Sequence, residues 1–510
     1  MRHTVILPGV VAVGFLAASG PGAGSRIFST QLLAHATPDA AAASPADELA
    51  QSHVQSRLQA DIAAVRSFRP AYPFWRHIFT IPDGRIIFGS AADGRLLATF
   101  PVSGDWARQG VWEDPALAAT LADKRLPSAL RLRREQVVHL LEPSVGPVVH
   151  NATRGLFLLP HAKRYGSFLG QWGAIYERFG VPAEIGLAQA IIESGLNGRA
   201  RSAARAVGFC QWLPRNWDRL NRLAPTVIEA HNQTTQAPYC AAYLTVLATM
   251  YGSFIPALSE HHAGGVNVGR AVINGERLGG ADAREQYMLG AQFARDLRSI
   301  SIQRYRELFR TFGPRSFLYA EMVFGNTLNV VRLTGEMPQS EIFAMRAPRA
   351  IPLSEIIRRT GLSADEVKRF NPALDLRVPA DANLYLPQYV SEFGPDVSFW
   401  HRPATVPYAD LLNEFVRMNA TVKQWHEASF ESILRDFQRR FQETGTEEGT
   451  IMATTMAYMI EDLRTSRRSA ILEEFGTSGR ILRLFEQGVR ELAAAASRLT
   501  DRADDSATER

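Results

Sequence analysis

The run Val181-Pro-Ala-Glu-Ile-Gly-Leu-Ala-Gln-Ala-Ile-Ile-Glu-Ser-Gly-Leu-Asn197 constrains this chain more than any other segment. Pro182 suits a first helical turn, where the N–H it lacks has no intrahelical partner anyway. Ile185, Leu187, Ala188, Ala190, Ile191 and Ile192 leave almost no polar face, so this helix must be buried. Gly195 is placed to end it. Glu193 therefore sits on the last turn, facing wherever the helix opens.

Burial disfavours a carboxylate and raises its pKa. A carboxyl group poised in that way is protonated near neutral pH and can serve as a general acid. A helix-end glutamate can instead pair with a neighbouring arginine, and Arg199 and Arg201 follow closely. These residues alone leave both readings open.

The segments that follow carry a resemblance. Residues 201–214 read Arg-Ser-Ala-Ala-Arg-Ala-Val-Gly-Phe-Cys-Gln-Trp-Leu-Pro, a small-residue loop and then Gly208-Phe-Cys-Gln211. His261-His-Ala-Gly-Gly265 and Arg284-Glu-Gln-Tyr287 come later. This order resembles the soluble-type lytic transglycosylases of the lysozyme-like superfamily, over roughly residues 165–300. Their pattern is a helix ending in Glu-Ser, a Gly-Leu-Met-Gln turn, an Ala-Tyr-Asn-Ala-Gly segment and a late tyrosine. The resemblance implies that Glu193 is the single catalytic acid/base. It implies that Ser194 assists the substrate's acetamido group, that Gln211 lines the sugar cleft and that Tyr287 lies near the acid. Phe209-Cys210 departs from Leu-Met, and Glu260-His-His-Ala-Gly264 from Ala-Tyr-Asn-Ala-Gly, so His262 holds the sugar-contacting Asn position.

The implied activity is cleavage of the β-1,4 bond between N-acetylmuramic acid and N-acetylglucosamine in peptidoglycan, leaving 1,6-anhydromuramyl ends. No cofactor is implied. No metal is expected either, since adjacent histidines on a helix cannot both face one ion and no third ligand is suitably spaced. A lysozyme-like hydrolase of the same bond is the alternative within enzymes. A hydrolase needs a second carboxylate, and Glu260, beside the segment expected to line the cleft, is the candidate. A non-catalytic cell-wall-binding scaffold is the alternative outside enzymes.

The chain's 510 residues suggest about three domains. Its 46% hydrophobic and 21% charged residues are those of an ordinary globular protein and exclude wholesale disorder. A net charge of +5 over this length makes no case for nucleic acid. Arg2 and His3 precede an apolar run from Val5 to Ala18, which suits a signal peptide, and Ala34-His-Ala36 is a cleavage candidate. No later stretch approaches 18 uninterrupted apolar residues, so the mature chain is expected to lack a membrane span and to be exported, periplasmic or cell-wall associated. Two cysteines, Cys210 and Cys240, rule out a disulfide-rich scaffold. In an exported protein they are a disulfide candidate that would tie the Gln211 turn to the helix of Tyr239–Tyr251. Two buried thiols are the other reading.

The expected class is mainly α. Residues 1–36 read as the signal peptide and 37–70, rich in Ala, Ser, Asp and Gln, as a mobile linker with a short helix. Residues 71–160 form a small α+β region, with strands near Ile78–Ile81, Arg85–Ser90 and Leu96–Phe100 punctuated by Asp83-Gly84 and Asp93-Gly94. The lysozyme-like helical domain spans 161–335. From 340 to 392, strands Glu341–Arg346 and Asn383–Leu386 enclose helices Leu353–Thr360 and Ala364–Phe370, the second opened by the capping box Ser363-Ala-Asp-Glu366. This β-α-α-β order resembles a LysM repeat, a module that binds N-acetylglucosamine polymers. The usual Pro-Gly-Asp-Thr turn is replaced by Ala347-Pro-Arg-Ala-Ile-Pro352. Residues 393–510 form a helical extension. Phe430, Leu434, Phe437 and Phe441 make one stripe, Met452, Met456 and Met459 a second, and Leu482, Phe485, Val489 and Leu492 a third.

Overall fold

The computed structural model describes residues 45–214, 216, 227–309, 316–418 and 428–508. The signal-peptide reading of residues 1–36 lies outside the described residues. Among the described residues helices dominate, and strands are confined to one four-stranded antiparallel sheet and two short antiparallel pairs. Among the described residues no helix is long and apolar enough to cross a membrane.

Helix Ala183–Ser194 lies at the centre, buried along nearly its whole length. Gly195 ends it in the left-handed conformation, at φ 60°. A Cβ there would lie 2.0 Å from the Phe157 carbonyl oxygen, so only glycine fits both the backbone angle and the space. Helices Leu169–Arg178 and Tyr319–Glu336 cover two sides of it.

Where a linker with a short helix was expected, the described residues form one long helix. Residues 45–68 form a 24-residue helix whose Val54, Leu58 and Val65 enter the main core. Its inward face also carries Arg57 and Asp61, both buried, which dilutes the apolar signal. Asp61 accepts hydrogen bonds from the Ser253 hydroxyl (2.7 Å), the Phe254 N–H (2.6 Å) and Arg284 Nε (2.9 Å). It thus places a negative group at the N-terminus of helix Phe254–Ala263, where the helix dipole favours one.

The expected strand near Ile78 is a helix, Trp75–Thr80, running on from a 3₁₀ turn at Tyr72–Phe74 that contains Pro73. Ile78 and Phe79 are buried there against helix Tyr319–Glu336. The sheet comprises β1 (Arg85–Ser90), β2 (Leu96–Pro101), β3 (Val111–Trp112) and β4 (Val148–Ala152), in the order β3-β2-β1-β4. Ile86 and Phe88 of β1 join Phe100, Trp106, Val137 and Leu141 in a small separate core, while Ile87 faces the main one.

Further along, β5 (Phe343–Arg346) pairs with β8 (Asn383–Leu386), and β6 (Ile351–Pro352) with β7 (Arg377–Val378). The two intervening helices occupy Leu353–Thr360 and Ala364–Phe370, and Ser363 Oγ accepts from the Glu366 N–H at 3.1 Å as a cap. This unit has its own core, including Met345, Ile356, Val367 and Leu384. It is nevertheless docked on the helical body. Phe370 and Tyr385 join the main core, Tyr385 Oη meets Thr235 Oγ1 at 2.6 Å, and Asn232 Nδ2 donates to the Phe370 carbonyl.

Helices Ala428–Glu443 and Glu447–Thr465 bury the Phe430 and Met452 stripes in the main core. Half of the third stripe faces inward. Phe485 and the partly buried Leu492 of helix Gly479–Thr508 pack on the main core together with Ile481 and Leu484, whereas Leu482 and Val489 are exposed. Gly488 sets that face by letting Phe293 and Leu297 approach.

Candidate active site

Glu193 projects from the last turn of the central helix with its side chain 12% exposed. Three side chains converge on Oε1. The Tyr319 hydroxyl donates to it at 2.5 Å, His261 Nε2 lies at 3.9 Å and His262 Nδ1 at 3.9 Å. Burial pushes the Glu193 carboxyl up to about 7, and the Tyr319 hydrogen bond opposes that rise by favouring the charged form. Tyr319 is itself buried and lies beside this carboxylate, so its pKa is raised well above the usual range and the hydroxyl remains a donor.

His261 is pushed down to about 4, mainly by burial. Its Nε2 lies 2.9 Å from the Cys210 carbonyl oxygen. A carbonyl only accepts, so Nε2 carries the proton and the ring is neutral at pH 7. His262 is 34% exposed, and its ring lies flat on Tyr319, with centroids 4.5 Å apart and planes 10° from parallel.

The turn beneath His261 is fastened on two sides. Cys210 and Cys240 are joined as a disulfide, which ties it to helix Gln233–Tyr251. Phe209 N–H also donates to Gln236 Oε1 at 2.5 Å. Trp212, Tyr243, His261 and Tyr458 then form a continuous aromatic wall, with neighbouring ring centroids 5.3–6.0 Å apart. Tyr458 comes from helix Glu447–Thr465, so the C-terminal region forms part of the site's support.

Other residues expected at the site are turned elsewhere. Ser194 is 2% exposed, and its hydroxyl donates back to the Ala190 carbonyl at 3.0 Å. Gln211 sits at φ 52°, and its amide braces its own turn by donating to the carbonyls of Gly208 (3.0 Å) and Ala200 (3.3 Å). Tyr287 is buried, and its hydroxyl donates to the Ser316 carbonyl at 3.2 Å, in the 3₁₀ turn that leads into Tyr319. It supports the tyrosine that meets the acid; the expectation had placed Tyr287 beside the acid itself.

Glu260 is likewise committed. Arg468 donates to both its carboxylate oxygens, at 2.5 and 2.8 Å, and the Tyr251 hydroxyl to one of them, at 2.6 Å. The ion pair is about 5% exposed on each side. Among the described residues no group of three His, Cys, Asp or Glu side chains is arranged to hold a metal ion.

Neither a protein-family model nor a curated protein matches this chain. The site must therefore be read from its own chemistry. It offers a carboxyl group that exchanges its proton near pH 7, a fixed hydroxyl donor on that carboxyl and a partly exposed imidazole beside it. Tyr319 had no sequence signal beyond its place at the start of an apolar helical stretch. His261 stood within a segment already marked, but its role in joining the disulfide turn to the acid depends on contacts across 51 residues.

Proposed function

We propose that this chain is an exported peptidoglycan lytic transglycosylase with a lysozyme-like helical catalytic domain, cleaving the bond between N-acetylmuramic acid and N-acetylglucosamine. The observation that carries the reading is Glu193: a carboxyl at the end of a buried helix, held near pH 7 and clamped by Tyr319. Such a group protonates the leaving glycosidic oxygen at working pH. The muramyl acetamido carbonyl attacks its own C1 and gives an oxazolinium-like intermediate. A base then takes the proton of the 6-hydroxyl, which attacks C1 and closes the 1,6-anhydro ring.

Substrate assistance of this kind needs no second carboxylate. That suits a site whose sequence candidate for one, Glu260, is locked on Arg468. The disulfide favours an oxidising compartment and supports export. The strand-helix-helix-strand unit at 340–392 supports the LysM-like reading, with peptidoglycan glycan strands as the partner.

The test is digestion of purified sacculi by the full chain, with the muramyl end-groups identified by mass spectrometry. We expect 1,6-anhydromuramyl ends. Reducing muramic ends from the outset would make it a hydrolase, and intact sacculi would leave a wall-binding scaffold.

A further inference from the structure

We propose that His262 is a second catalytic residue of this site, the base that takes the 6-hydroxyl proton while Glu193 serves as the acid. The inference rests on the transglycosylase reading above. It starts from a division of labour among the groups around Oε1 of Glu193. Tyr319 donates a hydrogen bond to that oxygen, which favours the carboxylate left after the first proton transfer. His261 is only 10% exposed, and its Nε2–H is held on the Cys210 carbonyl. His262 is the more exposed of the two histidines. A third of its side chain is open, its ring is held flat against Tyr319, and Nδ1 lies 3.9 Å from Glu193 Oε1. It is therefore fixed in orientation, reachable by a sugar hydroxyl and next to the carboxyl with which it must exchange a proton.

The protons balance across the cycle. Glu193 gives its proton to the glycosidic oxygen, and the C1–O4 bond breaks as the acetamido oxygen bonds to C1. The neutral His262 imidazole then takes the proton from the 6-hydroxyl. O6 bonds to C1, the bond from C1 to the acetamido oxygen breaks, and its electron pair restores the amide. The imidazolium hands its proton to the Glu193 carboxylate, which returns both groups to their starting forms. Among the described residues, the titratable groups shown against His262 are Glu193 from the central helix, Tyr319 from helix Tyr319–Glu336 and His261 beside it. Glu260, two residues earlier on the same helix, is paired with Arg468.

Two measurements test this. The first compares products of sacculus digestion by the wild type, His262→Asn and His262→Gln. Loss of a general base typically costs 10²–10⁴-fold. Ring closure should therefore slow by about 10²-fold or more, and water should capture the intermediate, so reducing muramic ends replace anhydro ends. The second needs no turnover. The His262 ring proton is identified in the NMR spectrum by its loss in His262→Asn, then titrated in the wild type and in Glu193→Gln. A carboxylate at this range favours imidazolium, so its removal should lower the His262 midpoint. Unchanged product ratios in both folded variants would overturn the assignment, as would a midpoint indifferent to Glu193. Intact sacculi with the wild type would instead sink the transglycosylase reading, and this step with it.

Discussion

Replacing Glu193 by Gln should make the protein more stable above neutral pH while it abolishes glycan cleavage. In the folded chain, burial raises the carboxyl from an ordinary value of 4.5 to about 7. That rise corresponds to roughly 3 kcal/mol of preference for the neutral form, at 1.36 kcal/mol per unit. A carboxyl whose folded pKa is raised contributes most below its unfolded pKa, and the contribution fades as pH climbs through the folded value. The wild type should therefore lose about 3 kcal/mol between pH 4 and pH 8 from this one group. Glutamine stays neutral throughout and can still accept the Tyr319 hydrogen bond. Denaturant midpoints at pH 4, 6 and 8 would give the difference between the two chains. The variant should gain progressively on the wild type and lead by up to about 3 kcal/mol at pH 8, with cleavage reduced at least 10²–10⁴-fold. A gap that does not change between pH 4 and pH 8 would refute the claim that burial holds this carboxyl near neutrality. Retention of more than about a tenth of the activity would remove Glu193 from the chemistry.

Three further outcomes follow from named contacts. Tyr319→Phe removes the donor that restrains the Glu193 pKa, so the alkaline limb of the pH–activity profile should move to higher pH, by about a unit for a charge-assisted bond worth roughly 1.5–3 kcal/mol; an unmoved limb would contradict the assignment. Arg468→Met strands the buried Glu260 carboxylate and should cost about 3–5 kcal/mol, whereas the Glu260→Gln, Arg468→Met double variant should recover much of that loss in denaturant titrations. Cys210 and Cys240 should resist alkylation in the unreduced, unfolded protein, and reduction should lower stability by roughly 3–4 kcal/mol for a loop of this size; two alkyl adducts detected by mass spectrometry would rule the bond out.

Where the governing physics is local, the sequence by itself was decisive. The apolar run Ile185–Ile192, interrupted only by Gln189, required a buried helix, and Gly195 set its end through a backbone angle that other residues rarely adopt. The same local rules put Glu193 on the last turn. The Ser363 cap and the Asp-Gly turns before and after β1 depend on neighbours two or three residues away and were legible for the same reason. Tertiary structure decided what each polar group meets. Tyr319 reaches Glu193 across 126 residues, Arg284 reaches Asp61 across 223 and Arg468 reaches Glu260 across 208. No periodicity encodes such pairings, because a buried charge is identified only by the partner that offsets its desolvation. The segment before Phe68 looked like a linker for that reason: its helix buries Arg57 and Asp61 where a local pattern expects apolar residues. Ser194 and Gln211 show the converse: their hydroxyl and amide donate to the nearby carbonyls of Ala190, Gly208 and Ala200, and only the folded structure decides between such a backbone partner and the cleft, because packing selects the rotamer.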